Sequence, residues 1–567
     1  MMVAPVTRPR PSFIELFTPK LVTVLREHYR LTDLKADAVA GLTVAIVALP
    51  LSMAIAIASG LTPDRGLFTA IAGGFTVSAL SGSRFQIGGP AGAFIVLVAA
   101  TVAQHGVDGL ILATMMAGMI LLALGFLRLG TFIKYIPYPV TVGFTSGIAL
   151  IIFASQVKDL LGLHLPGKEP GPFLSKIVTL ASALPSATPA AVAVAGVSIA
   201  IILTLRRLRP HWPGFLIAVT VAAFAVWALH LPVETIGTRF GGIPRSLPAP
   251  RLPDLSPARI SEMLPASLSF ALLGGIESLL SAVVADSMSG RRHRSNCELV
   301  AQGAANIVSA LFGGMCVTGT IARTATNVRA GARGPISGML HSLILLVFLG
   351  VAAPLASAIP LASLAGVLAV VAWNMAEKHE FAILLRASRG DAVVLLVTFL
   401  LVVFRDLTEG ILVGFGIGAL LFLHRMAHAV EIEQPVLLAD DDLADGTNGP
   451  RYDAGQIRDG EVVVYRISGA FFFGAVGAVA ATLDRIGEHP KVYVLDLAGV
   501  PVLDSTAAAM IAGFARDVRK HKAEVYIAGA RPPVCRLLMM QGARSPEVEF
   551  AADAAQAVAR ARAALSA

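Results

Sequence analysis

Charge is scarce in this chain. Only 14% of its 567 residues are Asp, Glu, Lys or Arg, against roughly a quarter in soluble domains, so most of the chain is expected in lipid. Cysteine is rarer still. Cys297, Cys316 and Cys535 make neither a disulfide framework nor a metal-ligand spacing, and no cofactor is expected. The first twenty residues lack an apolar stretch followed by a small-residue cleavage site, so no signal peptide is predicted and the apolar run from Val39 reads as a retained span. No Walker loop is present, and GFGIGAL (414–420) follows no strand, so it reads as packing. With no recurring nucleophile, base and orienting group, the chain reads as neither an enzyme nor an ATP-driven pump. Its net charge of +8 does not call for nucleic acid, since basic cytoplasmic loops raise the charge by themselves.

What is abundant is apolar surface: 55% of residues are hydrophobic and the mean hydropathy is +0.74. The charges crowd the N-terminus, a few loops and the part after about residue 430. That predicts a cytoplasmic N-terminal segment (1–36), a polytopic α-helical membrane domain (37–430), an acidic, turn-rich linker (431–460) and a soluble domain (461–567). Residues 12–35 read as an amphipathic surface helix or as a short helix packed under the membrane domain.

Apolar runs near 37–59, 66–81, 90–102, 107–127, 136–155, 187–205, 213–230, 265–286, 298–312, 321–330, 335–353, 361–376, 390–405 and 408–427 give about fourteen membrane segments. The loops 82–89, 128–135, 206–212, 287–297, 329–334 and 377–390 all carry Arg or Lys, which places them and both termini in the cytoplasm. The long loop 231–264 is the exception: it is expected outside, yet holds four arginines.

Two of these runs, 90–102 and 321–330, are too short to span, and their surroundings match. Pro50 interrupts the first span and Pro90 opens the first short segment; Glu277 sits in the eighth span and Thr320 opens the second. Glu277 follows Pro50 by 227 residues, and Thr320 follows Pro90 by 230. Paired interruptions mark an internal repeat with a binding site at its interface, and seven segments per half, an odd number, require the second copy to be inverted. Proline is suited to the first helical position, so the N–H groups after Gly89 and Pro90, from Ala91 on, would point to the midplane. Thr320, Ile321, Ala322 and Arg323 begin the other half-helix. Two such starts plus a guanidinium can hold a small anion. The alternative is that Gly and Pro here only permit tight helix packing.

Glu277 lies inside an apolar span, where an ionisable group usually marks an ion or substrate pathway. It shares a helix face with Gly274 and with Ser281, which is assigned to proton coupling alongside it. A buried carboxyl that takes up and releases a proton beside an anion site would couple the two movements; the alternative is a static pair with Arg323. Asp286 reads as a loop-holding charge, Gln302 and Asn306 as interhelical hydrogen-bonders, and His424 with His428 as structural.

After the linker, EVVVYRI, KVYVLDL and AEVYIAG (461–467, 491–497, 523–529) read as strands, with helices around 475–487, 505–521 and 531–542. Alternating strands and helices make a small α/β domain.

GGIESLLSAVVADSM, SNCELVAQGAANIVSALFGG, IARTATNVRAGARGPISG and YIPYPVTVGFTSGIAL (135–150) resemble the SulP, or solute carrier 26, family of anion transporters, and VYVLDLAGVPVLDSTAAAMIAGF (492–514) resembles its C-terminal STAS domain. The resemblance implies a seven-plus-seven inverted repeat with core and gate domains, elevator-like movement, a homodimer and a bacterial inner-membrane location. It implies an anion site at Gly89, Pro90 and Ala91 and at Thr320 to Arg323, with Glu277 as the proton-coupling carboxylate. IARTATNVRAGARGPIS and VAWNMAEKHE look most like the C4-dicarboxylate branch. Leu51 stands where many sulfate-transporting members have Gln, which favours a larger or less hydrated anion. The Asp504-Ser505-Thr506 turn resembles a phosphorylated loop, so Ser505 and Thr506 are candidate phosphosites, but the glycine that follows in that loop is absent and a plain helix N-cap explains the residues too. The readings left open are proton-coupled C4-dicarboxylate symport, sulfate or bicarbonate transport or exchange, and a sensor or scaffold whose STAS domain binds a cytosolic protein.

Overall fold

A computed structural model describes residues 12–131, 137–165, 167, 169–209, 212–405, 407–433, 462–484 and 490–566. The start of YIPYPVT and nearly all of the expected linker lie outside these residues. The chain divides into two compact units, 1–415 and 416–567.

In the first unit, α1 (Leu31–Ala58) begins six residues before the apolar run and passes through Pro50 without ending. Its charged first turns survive because Asp37, fully buried, accepts from the backbone N–H groups of Arg333 (2.6 Å) and Gly334 (3.1 Å) and from Tyr29 Oη (2.6 Å). Residues 12–35 are not one amphipathic helix. Two short helices, Phe13–Phe17 and Lys20–Arg26, are separated at Pro19, and a left-handed His28 divides the second from α1. Phe13 and Phe17 stack against Phe126 and Val24 is buried, so this segment packs on the unit.

A helix from Pro63, with a π turn at Thr69–Gly73, leads into α2 (Gly74–Leu80). Next come strand β1 (Gly88–Gly89), a 3-10 turn at Gly92–Phe94 and α3 (Ile95–Phe126). The runs expected at 90–102 and 107–127 are joined in α3, bent at Gly106, whose φ of 70° only glycine adopts freely. Then follow α4 (Tyr138–Leu161), α5 (Pro189–Leu208) and α6 (Gly214–Leu229).

The second half runs α7 (Pro257–Ser289), α8 (Ser295–Leu311), β2 (Thr318–Gly319), α9 (Ile321–Arg329), α10 (Ile336–Ser357), α11 (Leu361–Met375), α12 (Lys378–Ala387), α13 (Arg389–Phe404) and α14 (Leu407–His428). Among the described residues, eight helices are long and apolar enough to cross a membrane unaided; the other segments are shorter or broken. Two groups of helices emerge. α3 packs on α7 and α8 and α1 on α10, while α4 packs on α11 and α13 and α5 on α6 and α11.

The second unit holds a five-stranded sheet in the order β3 (Glu431–Glu433), β4 (Val462–Ser468), β5 (Val492–Gly499), β6 (Glu524–Ala528), β7 (Glu549–Ala551). β3 is antiparallel to β4 and the other pairs are parallel. Four helices, α15 (Phe473–Asp484), α16 (Ser505–Lys520), α17 (Pro532–Met540) and α18 (Ala554–Ser566), cover it. β5 is buried on both faces, which explains its unbroken apolar run. β3 occupies the start of the stretch expected to be linker.

Candidate functional site

The two interrupted segments meet. β1 and β2 pair antiparallel, Gly88 opposite Gly319 and Gly89 opposite Thr318. Thr320 N–H donates to Ile87 O (2.9 Å), and Ile87 N–H to Thr324 Oγ1 (3.1 Å), which extends the pairing beyond the strands. Each strand then turns into a helix start, at Pro90-Ala91 and at Thr320-Ile321. The first N–H groups of a helix have no intrahelical acceptor, so two positive ends lie side by side near the middle of the bundle. Side chains cannot be carried where the backbones cross. A Cβ on Gly89 would overlap Arg323 Nη1, and one on Gly319 would overlap the Gln86 amide.

Arg323 is 1% exposed. Its Nη2 donates to Ser52 Oγ (3.2 Å) and Pro90 O (3.3 Å), while Nε and Nη1 have no protein acceptor. The guanidinium therefore lies behind β1, between Ser52 of α1 and Pro90 of the first helix start, and turns away from the exposed surface of its own helix start at Thr320-Ile321. The exposed side chains at that start are Ile321 and Ala322. Arg323 still matters there: a buried cation with no carboxylate partner among the described residues raises the potential on both sides of the strand pair.

Glu277 is 7% exposed in the middle of α7. It has no hydrogen bond or ion pair among the described residues, so the static pair with Arg323 does not form. Its neighbours on α7 dock onto the second half-helix. Ser278 Oγ bonds Thr318 Oγ1 (2.6 Å) and accepts from Gly319 N–H (3.1 Å); Thr318 Oγ1 donates to Gly274 O (3.2 Å). Ser281 Oγ donates to Thr324 Oγ1 (3.1 Å). Ser281, expected to assist proton coupling, thus fastens α7 to α9. Gln86 Nε2 donates to Ser278 O (3.0 Å), tying the first half into the same lattice. Gln86, Ser278, Thr318, Thr324 and Ser52 were not singled out from the sequence; for Ser278 the signal was its place one turn before Ser281 on the helix of Glu277.

A further buried glutamate was not singled out from the sequence. Glu298, 0% exposed near the start of α8, accepts from Ser81 Oγ (2.5 Å), Gly82 N–H (3.1 Å) and Gln302 Nε2 (2.8 Å). Asn306, one turn past Gln302, bonds both N–H and O of Val317 (3.1 and 2.8 Å) and so holds the approach to β2. Gln302 and Asn306 were expected to bond between helices; instead Gln302 bonds Glu298 on its own helix and Asn306 bonds the non-helical segment before β2. Asp286 holds its loop through His293 N–H (3.0 Å) and its ring (2.7 Å). In the second unit Asp504 caps α16, accepting from Ala507 N–H (2.8 Å), and Ser505 and Thr506 are exposed in the first turn.

This geometry can hold a small anion and a proton near one another: helix starts and a buried guanidinium for the first, an unpartnered carboxyl for the second. Known proteins resemble the chain over most of its length. A model of the sulfate permease family matches residues 34–398, and a STAS-domain model matches 456–555. A putative sulfate transporter of Bacillus subtilis, YvdB, is 38% identical over 521 residues, 91% of this chain and 95% of its own. The bicarbonate transporter BicA of Picosynechococcus is 31% identical over 521 residues, 89% of each. Among solved structures, the murine solute carrier 26 member A9 anion transporter in its inward-facing state superposes with a TM-score of 0.84 at 18% identity, covering 99% of this chain and 96% of its own. The transmembrane domain of a cyanobacterial BicA gives 0.59 at 31% identity, covering 68% and 98%.

Proposed function

The chain belongs to the sulfate permease family of anion transporters, and from that membership we propose that it moves a small anion together with a proton by alternating access. The observation that carries the proton is Glu277: a carboxyl at mid-span, with no partner to neutralise it, beside two helix starts that attract an anion. The anion site is assigned to Gly89, Pro90, Ala91 and the N–H groups of Thr320 to Arg323. The elevator reading is that the group containing α1, α3 and α7–α10 carries this site past the group containing α4–α6 and α11–α14. The location is a bacterial inner membrane with both termini cytoplasmic, and the assembly a homodimer whose STAS domain meets a cytosolic partner.

The relatives reported above bear sulfate and bicarbonate names, so an inorganic oxyanion replaces the C4-dicarboxylate branch as the first reading. A dicarboxylate such as succinate stays as the second on the strength of Leu51, an apolar residue directly after Pro50 and next to Ser52, which holds Arg323. Labelled sulfate, bicarbonate and succinate, each offered to proteoliposomes with and without an inward proton gradient, test the reading. Gradient-driven uptake of one of them, lost in Glu277→Gln, is the expected result. Uptake indifferent to the gradient would remove the proton from the mechanism.

A further inference from the structure

A further carboxylate lies near this site on the other group of helices. Glu377 lies on the connection between α11 and α12, half-buried, with no hydrogen bond or ion pair to its side chain among the described residues. Its place follows from contacts on both sides. Gly274 on α7, three residues before Glu277, abuts Phe94: a Cβ there would lie 3.5 Å from the ring. Gly92, in the same 3-10 turn, abuts α4 and the end of α11, since its Cβ would lie 3.3 Å from Ile152 and 3.9 Å from Met375 Sδ. Glu377 comes two residues after Met375, and its charge acts on Glu277.

The charged and titratable groups around Glu377 leave it without a counter-ion. Lys378 donates to Ala376 O (3.2 Å) and lies over the Trp373 ring (4.2 Å). Arg206 on α5 donates to Asn374 Oδ1 (2.5 Å). The groups that interact with Glu377 itself are Glu380, one turn further along α12, and Tyr138 at the start of α4. Acidic groups thus run from Glu277 towards the membrane face that carries α12. Two carboxylates in one poorly solvated region, each within the field of the other, do not both ionise readily, so such a pair tends to hold one proton between them.

We propose that Glu377 takes the proton from Glu277 and passes it to the membrane face on which α12 lies. The O–H bond of the Glu277 carboxyl breaks as one forms on a Glu377 carboxylate oxygen, the proton passing through water between them. Glu277 becomes the carboxylate and Glu377 the acid, and the proton then leaves past Glu380. Because the two residues sit on different helix groups, the transfer is available only when those groups are aligned as here, which gives the release a side. This rests on Glu277 being the coupling group.

The full-length protein in proteoliposomes tests it with two readouts. The first needs no turnover: carboxyl infrared bands are followed through a pH titration, and the Glu277 band is identified by its loss in Glu277→Gln. In Glu377→Gln its midpoint is expected to move by about one pH unit. The second is proton-driven uptake of labelled sulfate, bicarbonate and succinate, set against exchange at zero gradient. Glu377→Gln is expected to slow the first about tenfold and spare the second, with Glu377→Asp restoring it. An unmoved Glu277 band together with wild-type uptake in Glu377→Gln would overturn the relay. Gradient-driven uptake surviving in Glu277→Gln would instead overturn the coupling reading itself.

Discussion

Two buried glutamates sit on consecutive helices of one unit and have opposite surroundings. Glu298 on α8 meets a hydroxyl, a backbone N–H and an amide, each within 3.1 Å. Glu277 on α7 meets none, although every polar neighbour on its helix face is bonded to β2 or α9. A carboxylate surrounded by donors is held in one state and supports the structure. One without donors changes state at little structural expense, which suits a proton carrier. Burial is common to both, so partners, not depth, separate the two roles.

Replacing each tests that separation. Glu277→Gln should abolish proton-driven accumulation and leave thermal unfolding in detergent unchanged, because no hydrogen bond is lost. A fall in melting temperature as large as that of a core mutant would make Glu277 structural. Glu298→Ala should do the reverse, leaving Gly82 N–H, Ser81 and Gln302 unpaired. That is expected to destabilise the fold by about 2–4 kcal/mol, read as a lower melting temperature, with pH dependence of uptake retained in the protein that remains folded.

Much of this was legible in the sequence because lipid imposes strong constraints. Fourteen apolar runs followed from the length needed to span, and the paired breaks at Pro90 and Thr320 from the cost of non-helical backbone at that depth. Glu277 stood out because nothing around it in the sequence is polar enough to hide it. Glu298 did not, because it opens its apolar run just after a cluster of arginines, where a charge is unremarkable; its partners Ser81 and Gly82 lie more than two hundred positions away. Asp37 is hidden in the same way by Arg333 and Gly334. The direction of Arg323 was decided by helical phase in a nine-residue helix, where Arg323 and Asn327 share the buried face with Thr324. A phase set by so short a segment depends on where the strand before it ends. β3 and β7, three residues each, were too short to leave a pattern.

Arg323 sharpens the comparison as its cationic counterpart: a buried charge with two nitrogens, Nε and Nη1, lacking an acceptor among the described residues. Arg323→Ala should weaken anion binding about tenfold, near 1.4 kcal/mol, with competition by unlabelled anion as the measurement. Unchanged affinity would confine the guanidinium to holding Ser52 and Pro90. Gly89→Ala reaches the same group from the other side, since the new Cβ takes the space of Nη1, and should reproduce the loss without removing the charge.

The smallest effect is expected where a partnered carboxylate is not in lipid at all. Asp504 accepts from Ala507 N–H (2.8 Å) as the cap of α16 and from Phe473 N–H (2.9 Å) at the start of α15, so it joins two helix starts of the second unit. Asp504→Ala should cost about 1 kcal/mol, because water can reach the freed N–H of exposed Phe473, though not that of buried Ala507, whereas it reaches no freed group at Gly82. The measurement is denaturant unfolding of the full chain followed by a probe on α16. A loss as large as that of Glu298→Ala would mean that counting partners, without regard to solvent, is enough to rank these carboxylates. A loss near 1 kcal/mol would mean that what the partners face after the carboxylate is gone decides the size of the effect.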